Sequence, residues 1–308
     1  MSQFKIYLSA DPGQKISRDI LQYPFIEGIR CNTGAPTSET KGIVIKSFQT
    51  DIHPIEPWVD LKCRELRLIK ESTIPYENLE INHKIEVDMP TAMYYNEGKN
   101  FVIIDEIIDG NKINIKLPEN YTGKEEIKFG KGASINIPDP SLKIHGYMTS
   151  NDIEYVEASK EIGLHNYLLS YVEKVDDIKE LLELDPEAKI LAKIESKKGI
   201  DFVKNDYNKV KNKVRLLAAR ADLYIELDRP HEILDALKLI IQKDPDAIAA
   251  SRILESFMEL EKVPRCTDFT DLGFLMEIGY KTFLLGDDIC QNEEVLSSAL
   301  GVLSTLQG

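Results

Sequence analysis

Short apolar runs that alternate with amphipathic stretches constrain the fold of this chain more than any other feature. From about residue 146 onward, the stretches between the runs, among them RILESFMELEKV at 252–263, carry apolar residues three and four apart. This spacing is typical of helices packed on a sheet. Short buried strands that each lead into a helix predict parallel strands with right-handed crossovers. The runs are Asn166–Val172, Lys189–Ile194, Val214–Ala219, Ala247–Ala250 and Lys281–Leu285.

Earlier strand candidates complete the pattern. They are Lys5–Ser9, Gly28–Asn32 and Pro57–Leu61. Three strands and five give the eight that close a barrel, so we predict an α/β protein built on a (β/α)8 TIM barrel. An open doubly wound sheet is the alternative, but no glycine-rich phosphate-binding motif follows the first strand to favour it.

Residues 68–137 interrupt this rhythm. They form short alternating runs separated by Asn-Glu-Gly, Asp-Gly-Asn and Tyr-Thr-Gly turns, a pattern typical of antiparallel hairpins. We predict a small β-rich lid domain inserted after the third barrel strand, with residues 1–67 and 138–308 forming the barrel. An insertion after a strand lies at the active-site face of this fold, which favours a lid over an insert without function.

The composition excludes several classes of function. The 308 residues include 52 Asp and Glu against 38 Lys and Arg, a net charge of −14 that repels nucleic acid and anionic membranes. No apolar run approaches the ~20 residues needed to span a bilayer, and the N-terminus does not resemble a signal peptide, so we expect a cytoplasmic protein. The four cysteines lack a CxxC pair, which indicates reduced thiols, not a zinc site.

Charged residues follow two consecutive predicted strands. Alternation places Lys193 and Glu195 on one side of the strand in KILAKIES, and the next strand leads into Arg220 and Asp222. Two carboxylates with few other ligands suit Mg²⁺ or Mn²⁺, which shares its shell with a phosphorylated or carboxylate substrate. A lysine beside that cation would neutralise a phosphoryl group. The alternative is a pair of salt bridges that closes the barrel end.

Seven motifs occur in a fixed order along the chain. They are KIYLSADP, GIRCN, VDLKCRELR, GKGASINIP, AKIES, ARADL and SRILESF. In this order they resemble segments of the pyruvate kinase family, among them its RLNFSHG, LDTKGPEIR, KIEN and ARGDLG motifs. The resemblance covers almost the whole chain and implies a barrel with an inserted lid. We expect the family's C-terminal regulatory domain to have no counterpart in this protein, and that domain's effector site to be absent with it.

The resemblance implies a role for each matching residue at the reaction centre. Glu195 and Asp222 would hold the divalent cation that bridges enolpyruvate and phosphate. Lys193 and Arg30 would bind the transferring phosphoryl group. Together these residues imply catalysis of phosphoryl transfer on an Mg²⁺-bound enolpyruvate.

Further positions match residues around the substrate. The backbone N–H groups of Ala221 and Asp222 would hold the substrate carboxylate. Ser251 stands where the family has a threonine near the proton-transfer site, and it keeps the hydroxyl. Arg67 matches an arginine near the nucleotide phosphates, and Asn32 is assigned to the substrate-binding set.

Departures from the family fall on its potassium and nucleotide positions. Asn32 and Asp60 keep two residues of a monovalent-cation site, whereas Leu61 replaces a hydroxyl ligand, so a role for K⁺ is not favoured. The loops at 33–35 and 285–290 are shortened, and Tyr224 replaces a glycine, which would add bulk beside the site. These changes weaken the case for ADP more than the case for a ligand like phosphoenolpyruvate.

Three functions remain open at this point. The favoured one is an Mg²⁺-dependent phosphotransferase acting on phosphoenolpyruvate with a nucleotide or another acceptor. A lyase or aldolase that handles a pyruvate enolate on Mg²⁺ would need the same carboxylates, and a catalytically impaired relative would keep only binding. The expected partners are small phosphorylated molecules, and homo-oligomerisation is left open.

Overall fold

A computed structural model of the protein describes residues 4–48, 55–116, 126–258 and 263–307. Its strands are β1 Lys5–Ala10, β2 Ile26–Asn32, β3 Glu56–Leu61, β4 Ser72–Ile74, β5 Leu79–Glu80, β6 Lys84–Glu86, β7 Thr91–Tyr95, β8 Asn100–Ile108, β9 Lys112–Lys116, β10 Ile127–Phe129, β11 Lys143–His145, β12 Asn166–Leu169, β13 Lys189–Ile194, β14 Val214–Ala219, β15 Ile248–Ala250 and β16 Thr282–Leu284. Its helices are α1 Arg18–Leu21, α2 Lys41–Ser47, α3 Ser150–Glu161, α4 Val175–Leu184, α5 Lys197–Asn205, α6 Arg220–Glu226, α7 Glu232–Lys243, α8 Cys266–Ile278, α9 Asp287–Cys290 and α10 Glu293–Leu306, with 3₁₀ turns at Tyr207–Lys209 and Glu255–Met258.

Within these ranges, eight parallel strands close a barrel. Their order is β1, β2, β3, β12, β13, β14, β15 and β16, and β16 pairs with β1. Each strand predicted for the barrel is present with nearly the predicted bounds, which confirms the (β/α)8 fold. The prediction succeeded because a strand buried on both faces reads as a continuous apolar run, whereas its helix shows a 3.6-residue period.

The barrel interior changes from apolar to polar along the strands. A buried apolar cluster fills the middle of the barrel and includes Leu168, Leu191 and Leu217. Side chains two residues further along share the same inward direction, and on β13 this step leads from Leu191 to Lys193. The polar side chains at the carboxyl ends therefore rest on an apolar floor.

The turn after β3 is fixed by a helix cap on the other side of the inserted region. Thr149 and Asp152 form a capping box at the start of α3. The buried Asp152 carboxylate also accepts hydrogen bonds from the backbone N–H groups of Lys62 at 2.8 Å and Cys63 at 3.1 Å. One side chain thus satisfies donors on both sides of the insertion, which aligns the end of β3 with α3.

The inserted region has antiparallel strands and a hydrophobic core of its own. A four-stranded sheet has the order β5, β9, β8, β7, and two further pairs are β10 with β4 and β11 with β6. Its core includes Leu79, Met93, Ile104 and Ile113, all buried. Residues 117–125 of the predicted lid lie outside the described residues. Because β11 follows residue 137, pairing extends past the predicted boundary, and the division at 67/68 and 137/138 stays a prediction.

The segment after β15 departs from its helical pattern. Ser251, Arg252 and Leu254 have positive φ angles, only a 3₁₀ turn follows, and residues 259–262 of this stretch lie outside the described residues. The backbone carbonyl oxygens of Ser251 and Arg252 accept hydrogen bonds from the side chain of Arg220, each at 2.9 Å. Tertiary hydrogen bonds have overridden the local preference for a helix.

The four cysteines are free thiols. Cys31, Cys63 and Cys290 are buried, whereas Cys266 is exposed at the start of α8. None of the described helices combines the length and apolar character needed to cross a membrane.

Gly28→Ala should destabilise the barrel. A Cβ at this position would lie 2.5 Å from Cε1 of Tyr7, whose buried ring packs edge-on against Trp58. We expect a loss of ~1–3 kcal/mol in the free energy of unfolding, as for other overpacked cores. Urea unfolding followed by circular dichroism measures it.

Gly273→Ala is the matched control, because a Cβ there meets nothing within 4 Å on the exposed side of α8. It should be neutral or stabilising by up to ~1 kcal/mol, since alanine favours helix over glycine. Equal unfolding midpoints for Gly28→Ala and the native protein would contradict the prediction.

Candidate active site

A cavity of about 280 Å³ opens at the carboxyl ends of the barrel strands, next to the inserted region. Because parallel strands all end at this rim, side chains far apart in sequence meet there. Most of the predicted site residues line it, namely Arg30, Asn32, Arg67, Lys193, Glu195, Ala221, Asp222 and Ser251. The remaining one, Asp60, is fully buried and forms ion pairs with lining residues.

Asp60 is the centre of the ionic network. Its carboxylate lies 2.7 Å from Nη2 of Arg30, 2.7 Å from Nζ of Lys62 and 3.4 Å from Nζ of Lys193. Burial alone would raise the pKa of Asp60, but Lys193, Lys62 and Arg30 together hold it well below its usual range. Asp60 is therefore a permanent anion that positions three cations.

The pair proposed for a monovalent cation is already engaged by protein groups. The Asp60 carboxylate faces three cationic side chains, and Oδ1 of Asn32 accepts from the backbone N–H of Gly34 at 3.2 Å. Nη2 of Arg30 also donates to this Asn32 oxygen at 3.4 Å. A monovalent cation at Asn32 and Asp60 would have to compete with these contacts, and the cation site stays a prediction.

Lys193 lies between two carboxylates. Its Nζ is 3.0 Å from Oε1 of Glu195 and donates to Oγ of Ser170 at 2.8 Å. Burial alone would lower the pKa of Lys193, but Asp60 and Glu195 raise it above its ordinary value. The ammonium group is therefore charged and held in one position.

Glu195 and Asp222 share the cavity as buried acids. The Glu195 carboxylate accepts from the backbone N–H of Tyr171 at 2.6 Å, and Asp222 lies in the first turn of α6. Burial raises the pKa of Glu195 to about 7, with Asp222 and Glu65 adding to the rise and Lys193 opposing it. Burial likewise raises the pKa of Asp222. Both acids sit where a positive charge would stabilise their ionised forms.

The donor set fits a hard divalent cation. Both hydrogen bonds described for Asp222, from Asn136 and Tyr171, end on Oδ1. Among the described residues, no three His, Cys, Asp or Glu side chains are grouped to hold a metal ion. Two carboxylates at an open cavity match Mg²⁺, which takes one or two protein carboxylates and fills its shell with water and substrate oxygens. Glu195 and Asp222 are the residues that would hold it.

The groups expected near the substrate carboxylate contact each other. The backbone N–H of Ala221 donates to Oγ of Ser251 at 2.9 Å, and that hydroxyl donates to the carbonyl of Ala250 at 2.8 Å. Arg220 braces this segment through the carbonyl of Ser251 and through Asp271 at 2.7 Å. Ser251 and Ala221 are thus brought together as expected, but a ligand that uses the Ala221 N–H must replace the serine.

Arg67 joins the inserted region to the loop after β2. Its Nη1 lies 2.6 Å from Oε1 of Glu65, and its Nε donates to the carbonyl of Gly132 at 2.8 Å. Gly34 packs so closely that a Cβ there would lie 2.6 Å from the Arg67 guanidinium. Arg67 lines the cavity at its lid side, where a ligand bridging both parts would contact it.

Several site residues were not identified from the sequence. Lys62 and Ser170 could have been found, because each lies two residues beyond an inward-facing residue on a barrel strand. Asp287 follows the last strand, which is a weaker signal. Asn136 gives no local signal: its Nδ2 reaches Oδ1 of Asp222 at 3.2 Å across 86 positions of sequence. Its backbone pairs with Tyr94 of the inserted region, so it connects that region to the acid.

Tyr224 lies beside the cavity and not within it, against Arg252 of the cavity lining. It is 43% exposed on α6 and absent from the cavity lining. Its ring lies 6.0 Å from the guanidinium of Arg252. The helix begins at Arg220, so Asp222 and Tyr224, two residues apart, face different directions on it, as they would not on a strand.

The fold and this cavity together define a (β/α)8 barrel protein with an ionic site at the carboxyl ends of its strands. A family profile described as the barrel domain of pyruvate kinase matches residues 64–276. The chain therefore belongs to the pyruvate kinase family, which confirms the resemblance of its motifs.

Two relatives show how distant the similarity is. The chain is 24% identical over 282 residues to a pyruvate kinase of Methanocaldococcus jannaschii, covering 85% of this chain and 60% of that protein. It is 25% identical over 286 residues to a pyruvate kinase of Borreliella burgdorferi, covering 84% of this chain and 58% of that protein. The chain thus matches about three fifths of the length of each relative.

Glu226→Gln should flatten the dependence of stability on pH in metal-free protein. Burial raises the pKa of Glu226 from the ordinary 4.5 to about 8, so folding favours its protonated form. This stabilisation is complete below pH ~4.5 and is lost as the pH rises through about 8. Between pH 5 and 8, the free energy of unfolding of the native protein should fall by on the order of 3 kcal/mol more than that of Glu226→Gln.

Urea unfolding at pH 5 and pH 8 in EDTA measures this difference. Glu183→Gln, an exposed change on α4, is the matched control and should keep the native slope. If Glu226→Gln had the same pH slope as the control, the buried acid would not contribute as described.

Proposed function

We propose that this protein is an Mg²⁺-dependent phosphotransferase acting on phosphoenolpyruvate or pyruvate, with a nucleotide or another phosphoryl acceptor. One observation carries the proposal. Two cations, Lys193 and Arg30, share the buried Asp60 carboxylate, while two acids suited to a metal, Glu195 and Asp222, line the same cavity. Membership of the pyruvate kinase family supports the same reaction class.

Each group has a role that follows from its charge and position. Glu195 and Asp222 would hold Mg²⁺, which when bound supplies positive charge to the enolate and phosphoryl oxygens. Lys193 is fixed by Ser170 and Glu195, so its ammonium group would meet the transferring phosphoryl group without reorganisation. Arg30 would bind the same phosphoryl group from the β2 side of the cavity.

The remaining residues would position the substrate and the acceptor. The N–H groups of Ala221 and Asp222 would bind the substrate carboxylate. The Ser251 hydroxyl, 2.9 Å from the Ala221 nitrogen, would then be free to take part in proton transfer at the enol carbon. Arg67 would face the acceptor phosphates from the lid side, and Asn32 would contact the substrate from the β2 side.

Phosphorus NMR tests the proposal directly. The protein is incubated with MgCl₂ and phosphoenolpyruvate, with and without ADP, and the phosphorus resonances are followed over time. ATP formed in step with the loss of phosphoenolpyruvate supports transfer to ADP, and loss with another acceptor identifies a different kinase. Unchanged phosphoenolpyruvate with every acceptor would contradict the proposal and favour an enolate lyase or a binding protein.

Lys193→Ala should lower turnover by about 10² to 10³-fold or more, because it removes a fixed cation from the phosphoryl group. The fold should persist, since Asp60 keeps Arg30 and Lys62 as partners. The same NMR assay measures turnover, and circular dichroism checks the fold. Lys189→Ala is the matched control at the other end of β13, where Lys189 pairs with Glu56. Equal turnover in Lys193→Ala and the control would remove Lys193 from the mechanism.

Metal binding can be measured without turnover. Glu195→Gln and Asp222→Asn should each weaken Mn²⁺ binding at least about tenfold, because each removes one of two protein ligands. Electron paramagnetic resonance of free Mn²⁺ gives the affinity. Asp228→Asn, an exposed change beyond α6, should bind Mn²⁺ as the native protein does. Native affinity in Asp222→Asn would place the metal elsewhere.

A further inference from the structure

Asp287 holds the guanidinium of Arg30 through a nitrogen that Asp60 does not use. Oδ1 of Asp287 accepts from Nη1 of Arg30 at 2.9 Å and also from the hydroxyl of Ser9. Oδ2 accepts from Nδ2 of Asn32 at 3.2 Å. A single carboxylate thus gathers a cation, a hydroxyl and an amide, as an anionic ligand would.

These contacts leave Arg30 without a spare donor. A guanidinium has five N–H groups. Those of Arg30 point to Asp60 from Nε and Nη2, to Asp287 and Ser9 from Nη1, and to Asn32 from Nη2. A phosphoryl oxygen can reach this guanidinium only if one of these partners leaves.

Asp287 is the partner that can leave. Asp60 is fully buried and shared by three cations, so its release would leave charges unpaired at a high cost. The side chain of Asp287 is 30% exposed at the cavity wall, where α9 begins directly after Gly286. Water can solvate its carboxylate once it turns away from Arg30.

We propose that the Asp287 carboxylate occupies the anion subsite of Arg30 and that a phosphoryl group binds by displacing it. The inference rests on the proposed function for the identity of the phosphoryl donor. Asp287 then sets specificity: a ligand with one negative charge gains little by replacing a tethered carboxylate. A phosphate dianion offers more charge and more acceptor oxygens to Arg30, Ser9 and Asn32. The ligand class is therefore phosphorylated and dianionic, not a simple carboxylate.

Removal of the competing charge should tighten phosphoryl binding. Calorimetric titration of phosphoenolpyruvate with MgCl₂ and no acceptor should give about tenfold tighter binding to Asp287→Asn than to the native protein. Inorganic phosphate is the second probe, and it should also bind more tightly to Asp287→Asn than to the native protein. Asp287→Ala repeats the test without an amide that could keep the Arg30 contact, and circular dichroism verifies each fold.

Asp288→Asn is the matched control. Asp288 lines the same cavity and carries the same charge, but no described hydrogen bond or ion pair joins it to Arg30. Its removal should change affinity by less than about twofold, because an exposed charge is screened by water and salt. The double variant Arg30→Gln with Asp287→Asn should not bind the two probes more tightly than the native protein, because the gain in affinity depends on the guanidinium of Arg30.

The outcomes separate this inference from the proposed function. Tighter binding in both Asp287 variants, absent in Asp288→Asn, supports the inference even if no variant turns over phosphoenolpyruvate. Equal or weaker binding in both Asp287 variants overturns it, even if the native protein is an active kinase. An equal gain in Asp288→Asn, or no binding of either probe to any variant, also overturns it.

Discussion

The buried carboxylate of Asp60 is the interaction on which the site depends. A buried anion is stable only when it is paired. Asp60 pairs with Arg30, Lys62 and Lys193, and its Oδ2 accepts hydrogen bonds from Arg30 and Lys62. The same pairing fixes these three cations, whose long side chains would otherwise sample many rotamers. Burial of Asp60 thus holds three cationic side chains in fixed positions before any ligand binds.

The barrel supplies the conditions for that network. Its apolar middle layer excludes water from below, and inward-facing positions two residues further along carry the ionic side chains. The inserted region contributes from above through Asn136, whose backbone pairs with Tyr94 and whose side chain reaches Asp222. A movement of the inserted region that displaces Asn136 would therefore change the contact with Asp222, an acid suited to hold the metal.

Sequence reasoning predicts what depends on local periodicity. The barrel strands follow from continuous apolar runs, and the placement of Lys193 with Glu195 follows from alternation along one of these strands. Contacts between distant segments have no such signal: Asp287 and Arg30 are 257 positions apart, and Asn136 and Asp222 are 86 apart. The helix predicted from Arg252 does not form at its start for the same reason, because Arg220 donates to the carbonyls of Ser251 and Arg252.

Carboxylates outnumber cationic side chains around the cavity. Five cationic side chains line it, against seven carboxylates when Asp60 is included, so formal charge is negative before any ligand binds. An anionic ligand therefore meets net repulsion until a divalent cation occupies the acids. Because the coupling of two ligands is reciprocal, a phosphoryl anion must in turn strengthen metal binding. Asp287 further opposes anion binding, because it contributes one of the negative charges and also pairs with the guanidinium of Arg30 that the anion needs.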